Sequence, residues 1–311
     1  MSPASKTAAC AALASMLSIT LGACGEPPPA PGASPPDPMT ESASAAGEKL
    51  APGEYSWTTA DGNTMPYVVA GEGDATVLLV HCWMCDRTFW SAQIPALSPR
   101  YRTIAVDLPG HGEATAEREA WHVADFGEDV AGLIQHLVLD NVVLVGHSMG
   151  GPVSLRAAAL SGGRVRGVVA VDTLHDAEYE FPPEMIDQML ASFASDFSGT
   201  CSSFVKQMFP EDGVEEMADE VSRKGCNQER AHVGAALMQD FGEIDTETWF
   251  READVPIRAI NAATPFPTRI AANRKYADFD AVLMEGVGHY PHMTRPDEFN
   301  RLLLEAIDGL L

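Results

Sequence analysis

The sequence predicts an α/β fold built on a mostly parallel sheet, and three observations carry that prediction. Short β-branched or Leu-rich runs recur along the chain: "ATVLLV" (75–80), "RTIAVD" (102–107), "NVVLVG" (141–146), "VRGVVAVD" (165–172), "VPIRAIN" (255–261) and "FDAVLMEG" (279–286). These runs are apolar on both faces, as strands sandwiched between helical layers are. The intervals between most of them suit crossover helices, and at 46% hydrophobic residues a chain of 311 can bury a substantial core.

Taken in order, the chain opens on a segment outside that fold. Lys6 is the only charge before Glu26, and an Ala/Leu/Met/Ser stretch between them ends in Leu21-Gly22-Ala23-Cys24. This is the layout of a secretory signal peptide over residues 1–23. "LGAC" resembles the lipobox of bacterial lipoproteins, which implies cleavage before Cys24, lipid attachment there, and a protein anchored to a bacterial membrane after export. Gly25 lacks the aspartate that marks inner-membrane retention in many enterobacteria, so the outer membrane is favoured. A periplasmic or secreted protein and an N-terminal membrane helix are the alternatives. Residues 24–53 are rich in Pro, Ala, Ser and Gly, with almost nothing to bury, and read as a tether.

The folded domain is expected over 54–311. "YSWTT", an Asp61-Gly62 turn and "MPYVVAG" predict an opening hairpin. Apolar residues recur at helical spacing over Val123 to Leu137 and again in the closing "PDEFNRLLLEAIDGL". From His175 to about Arg251 there are helical patterns but no strand, too long a stretch for a crossover, and this predicts an inserted helical cap. Its Met and Phe residues, Phe193, Phe197 and Phe204 among them, read as packing residues, some of which line what the cap covers. The formal charge of −24, from 44 acidic against 20 basic residues, argues against a nucleic-acid partner.

Chemistry concentrates where a strand meets a helix. "NVVLVG" runs into Gly146-His147-Ser148-Met149-Gly150-Gly151 and then into the helical "PVSLRAAAL". A Gly-x-Ser-x-Gly in that setting is a nucleophile elbow, with Ser148 as the nucleophile. A serine hydroxyl needs a base that titrates near neutrality. His289, in the loop between the last strand and the last helix, is the candidate, while His147 and His292 read as surface or supporting polar residues.

With "HCWMCDRTFW" (81–90), "DLPGHG" (107–112), "GHSMGG" and "GVGHYPHMTRPDEF" in this order, the chain resembles the α/β-hydrolase superfamily over about residues 55 to 311, specifically its lid-bearing esterase, lipase and peroxidase-like members. The resemblance implies a Ser-His-acid triad. The usual acid position after the seventh strand is filled by Thr264, in "NAATPF", and Asp278 and Asp280 already lead into the last strand. Some members carry the acid at the end of the sixth strand, which implies Asp172, with Asp176 as the alternative. The resemblance also implies an oxyanion hole from the backbone N–H groups of Trp83 and Met149.

Cys82 and Cys85 form a Cys-x-x-Cys beside His81, a pattern also compatible with a redox motif or half a metal site. A zinc site lacks two further ligands, so no metal or cofactor is expected. With Cys10 removed and Cys24 lipidated, four thiols remain. An exported chain permits a Cys201–Cys226 bridge across the cap and a second one between Cys82 and Cys85. The expected function is therefore cleavage of a small-molecule carboxylic ester of small to medium acyl size through an acyl-enzyme. Lactone, amide or thioester hydrolysis or perhydrolysis on the same residues, and a tethered binding protein with a decayed site, are the alternatives.

Overall fold

A computed structural model describes residues 50–179, 182–264 and 266–311. The expected signal segment 1–23, the lipidation residue Cys24 and the tether up to residue 49 lie outside the described residues.

Eight strands form one sheet in the order β1-β2-β4-β3-β5-β6-β7-β8. They are β1 (Gly53–Thr58), β2 (Thr64–Ala70), β3 (Thr76–Val80), β4 (Arg102–Val106), β5 (Val142–His147), β6 (Val165–Val171), β7 (Ile257–Ala262) and β8 (Phe279–Met284). β1 and β2 form the expected antiparallel hairpin, with Tyr55 opposite Tyr67. β2 is antiparallel to β4, and β4-β3-β5-β6-β7-β8 are parallel throughout. The strand order reverses at β3, whose neighbours are β4 on one side and β5 on the other. In open parallel sheets, ligands bind at the carboxyl ends of the strands beside such a reversal.

The helices are α1 (Ile94–Leu97), α2 (Val123–His136), α3 (Gly150–Leu160), α4 (Pro183–Ser195), α5 (Phe197–Gln207), α6 (Glu215–Gly225), α7 (Ala231–Asp240), α8 (Thr246–Ala253), α9 (Ile270–Asn273), α10 (Pro291–Thr294) and α11 (Pro296–Asp308). Strand alternation divides the core into two layers. Leu78, Val80, Leu144 and Val168 join Phe126 and Leu133 of α2, Val153 of α3 and Phe250 of α8 on one face. Val77, Leu79, Val143, Val145 and Val169 meet Phe299, Leu303 and Ile307 of α11 on the other. Each fully buried apolar side chain of this size contributes roughly 1.5–3 kcal/mol, so both faces of the central strands are firmly held.

The stretch after β6 contains α4 to α7 and then α8, which packs against α3. α4 and α5 are separated at Asp196, whose extended backbone stops one helix and whose carboxylate accepts the Gly199 N–H at 3.0 Å to start the next. Cys201 of α5 is joined by a disulfide to Cys226, just after α6, with a Cα–Cα distance of 5.4 Å.

Candidate active site

Four of the seven described non-glycine residues with positive φ, Met84, Ser148, Asp172 and Leu174, lie just beyond β3, β5 and β6. Left-handed backbone is unfavourable for such residues, and it persists where the surroundings over-determine it. Ser148 (φ 52°) directly follows β5. Its N–H still donates to the carbonyl of Val171 at 3.0 Å, and its own carbonyl accepts the Gly151 N–H at 2.9 Å, which closes the turn into α3. A side chain at Gly146 would strike the carbonyl of Gly150, and one at Gly150 would strike the carbonyl of Val80. Glycine is therefore required at both positions for the strand and helix to close on the serine.

Asp172 (φ 43°) occupies the equivalent position after β6, and its N–H bonds the Ile260 carbonyl at 3.0 Å. Its Oδ1 accepts the Ala262 N–H at 2.8 Å, and its Oδ2 accepts from His289 Nδ1 at 2.6 Å. His175 adds its Nε2 at 3.6 Å from Oδ1. Burial pushes the Asp172 carboxyl upward. The hydrogen bond and charge of His289, the charge of His175 and the Ala262 N–H outweigh it and hold the carboxyl below its ordinary value. With Nδ1 committed to Asp172, Nε2 of His289 is the nitrogen available for proton transfer.

The other carboxylates considered from sequence are engaged elsewhere. Asp176 lies 3.9 Å from Arg269 and accepts the Glu178 N–H at 3.1 Å. Asp278 pairs with Arg258 and Asp280 with Arg274, and Thr264 is exposed. The turn that carries Asp172 is pinned instead by Asn261 at the end of β7, a buried side chain that accepts the Thr173 N–H at 3.2 Å and donates to the Thr173 carbonyl at 3.1 Å and to Thr268 Oγ1 at 2.9 Å.

Trp83 and Met149 are both buried. Among the described residues neither backbone N–H has a hydrogen-bond partner in the protein, which is rare for buried donors. The Trp83 loop is cross-braced. Cys82 and Cys85 are joined by a disulfide, Cα–Cα 5.2 Å, and the Cys85 N–H donates to the Cys82 carbonyl at 3.2 Å. His81 links its base to the "DLPGHG" turn, with Nε2 accepting the Leu108 N–H at 3.0 Å and Nδ1 donating to the Cys82 carbonyl at 2.8 Å. Burial lowers the His81 pKa, in keeping with the neutral tautomer this pattern needs. Asp107, fully buried, gathers the Arg87 guanidinium and the N–H groups of Arg87 and Glu113 at 2.7 and 2.9 Å. The Trp83 indole donates to the Gly234 carbonyl at 3.0 Å and is ringed by Phe193, Phe197 and Phe204, with centroids 5.6 to 6.3 Å away.

His147 and His292 are not surface residues: both are almost wholly buried. His147 Nε2 donates to the His289 carbonyl at 2.7 Å, tying the elbow to the histidine loop. His292 packs on Trp90 and His147 with ring centroids 4.7 and 4.6 Å apart, and burial, then the charge of His289, pushes its pKa down to about 3. The single sequence sign of the His147 contact is its place inside the elbow motif. Asn261, His175 and the cap residues Met208 and Glu211, which bond the histidine loop, carried no sign at all.

An elbow after β5, an acid–imidazole pair and two unpaired N–H groups, gathered at the carboxyl edge of this sheet, define a hydrolase of the α/β type. The model of the alpha/beta hydrolase family matches residues 77–302, and the chain belongs to that family. Among curated relatives it is 26% identical over 259 residues to the pimeloyl-acyl-carrier protein methyl ester esterase of Yersinia enterocolitica, an alignment covering 76% of this chain and 95% of the relative. Among solved structures it is similar to a thermophilic esterase from Thermogutta terrifontis, with TM-score 0.70 and 21% identity over 83% of this chain and 99% of the other. The enol-lactonase from Burkholderia xenovorans LB400 superposes with TM-score 0.69 and 19% identity, over 81% and 98%. At these identities the two structures bear on the fold.

Proposed function

We propose that the protein is a serine hydrolase that cleaves a carboxylic ester of small to medium acyl size through an acyl-enzyme. The observation that carries this reading is the 2.6 Å bond from His289 Nδ1 to an Asp172 carboxylate held below its ordinary pKa, beside an elbow serine in left-handed backbone. In the proposed mechanism His289 Nε2 takes the Ser148 hydroxyl proton as Oγ attacks the ester carbonyl. Asp172 orients the imidazole and stabilises its charged form without itself taking the proton. The tetrahedral oxyanion receives the unpaired N–H groups of Trp83 and Met149, donors fixed by the fold before the charge develops. Collapse expels the alcohol, which takes the proton back from Nε2, and a water activated by the same imidazole releases the acid and restores Ser148.

The name of the curated relative favours an ester as the scissile bond. The aromatic ring around Trp83 favours an apolar acyl group. Incubation with a fluorophosphonate probe is expected to give one adduct, on Ser148, and Ser148→Ala is expected to abolish both the adduct and turnover of p-nitrophenyl esters. An unlabelled, folded wild-type protein would favour the decayed-site alternative and sink this reading.

We further propose export and lipid attachment at Cys24, with residues 24–53 as the tether that holds the hydrolase domain off a bacterial membrane. This rests on the Leu21-Gly22-Ala23-Cys24 pattern and the composition that follows it. Cys24→Ala is expected to move the protein out of the membrane fraction in cells. Unchanged membrane recovery of that variant would reject the anchor.

A further inference from the structure

The loop that carries His289 is gripped by the cap. β8 ends at Met284, and in the loop that follows the Gly288 and His289 N–H groups both find their partners in the cap. The Gly288 N–H donates to Glu211 Oε1 at 2.7 Å, and the His289 N–H donates to the Met208 carbonyl at 2.9 Å. Tyr290 stacks flat on Phe209, with centroids 4.5 Å apart and planes 5° from parallel, and both rings are buried. Three consecutive residues, 288 to 290, are thus held by the cap segment 208–211. On the opposite side the His289 carbonyl accepts from His147 of the elbow at 2.7 Å. The backbone of His289 is suspended between two supports, and only the elbow belongs to the sheet. The fit is tight, because a side chain at Gly288 would strike the Met208 carbonyl and Pro210.

From this geometry we propose that the cap aligns His289. Glu211 is a positioning residue whose carboxylate oxygen fixes the Gly288 N–H, and the imidazole is in register with Ser148 and Asp172 only while the segment 208–211 is docked. This deepens the serine hydrolase reading and rests on it. A displacement of about 1 Å in a reacting group costs on the order of 100-fold in rate, so a cap that rises to admit substrate disarms the base until it closes again.

The test uses the full-length protein with p-nitrophenyl butyrate. Glu211→Ala and Gly288→Ala are each expected to lower kcat by about 10- to 100-fold with KM nearly unchanged. Glu211→Gln keeps an accepting oxygen and is expected to restore kcat to near wild type. The two lesions act on one contact, so Glu211→Ala combined with Gly288→Ala is expected to be no slower than Gly288→Ala alone. Hydrogen–deuterium exchange of the peptide spanning residues 286–290 is expected to quicken in Glu211→Ala while the melting temperature holds. Wild-type kcat in Glu211→Ala overturns the proposal. So does a Glu211→Gln variant as slow as Glu211→Ala, because the charge rather than the accepting oxygen would then matter. If the wild type neither labels at Ser148 nor turns over ester, the serine hydrolase reading is what fails. Exchange then decides the contact separately: unchanged exchange in Glu211→Ala removes the clasp, and faster exchange leaves it a structural contact with no catalytic role.

Discussion

The carboxyl edge of the sheet and the cap contribute to one site by different means. Ser148 and Asp172 sit one residue past β5 and β6, and hydrogen bonds to Val171 and Ile260, 3.0 Å each, carry the sheet ladder out to them. Neither residue can move without disturbing strands that are buried on both faces. The cap segment that holds the His289 loop follows α5, which packs on α4, α6 and α7 and, through Phe197 and Phe204, on Trp83, and which the Cys201–Cys226 bridge ties to the end of α6. Contacts of that kind open separately from the main core. The proposed nucleophile and acid are therefore fixed by the fold itself, and the proposed base by the docking of an insert.

The largest expected effect breaks the sheet side of this contrast. Asp172→Asn keeps an oxygen for the Ala262 N–H but loses the charge that stabilises the imidazolium and selects its tautomer. In the Ser-His-Asp template the corresponding change costs about 10⁴ in kcat, and a fall of roughly 10³–10⁴, or about 4–5.5 kcal/mol of barrier, is expected here. Stability carries a signature of its own. The Asp172 carboxyl is held below its unfolded value, so its contribution is present above about pH 4 and is lost as the pH falls through the folded value. The difference in unfolding free energy between wild type and Asp172→Asn is therefore expected to be full at neutral pH and to close in acid. Turnover near wild type in Asp172→Asn would show that the 2.6 Å contact is structural only.

How much of this was legible in the sequence follows the same division. The central strands announce themselves because burial on both faces leaves continuous apolar runs, the edge strand β8 keeps an apolar run although it is partly exposed, and each predicted run matches an observed strand to within two residues at either end. Ser148 is legible because the elbow is local: strand, sharp turn and helix are contiguous, and the glycines it needs must sit beside it. Asp172 was reachable only through the family resemblance and the absence of a carboxylate at Thr264, because nothing local at a strand end distinguishes an acid that meets a histidine 117 residues away. Asn261 and Glu211 were not legible at all. Each acts through a backbone group brought to it by tertiary packing, 88 residues away for Asn261 and Thr173, 77 for Glu211 and Gly288. Any side chain with a well-placed oxygen would serve, so residue type carries no signal. For His147 the supporting role holds and the surface role does not; its partner stays hidden for a related reason, because alternation along β5 says that a residue is buried, but not which carbonyl waits opposite.

The cap disulfide gives a smaller effect and tests the other half of the contrast. Cys201 and Cys226 close a loop of 25 residues, and the chain-entropy model gives such a closure about 3.5 kcal/mol at 25 °C. Were the molecule one cooperative unit, replacing both cysteines with serine would lower protection everywhere alike. If the cap opens on its own, the loss falls on α5 and α6, and exchange in β5 and β6 stays at wild-type rates. We expect the second pattern, because the main neighbours of α5 and α6 are each other, α4 and α7, together with the loop of Trp83 and Met84, the carbonyl of Met84 lying against Gly225. Cys201 lies on the helix that ends at Gln207, immediately before Met208, so loosening α5 also loosens the grip on His289. The same double variant should then lose several-fold in kcat while fluorophosphonate still labels Ser148, though more slowly. Uniform loss of protection with unchanged turnover would join cap and sheet into one unit and remove the cap's separate hold on His289.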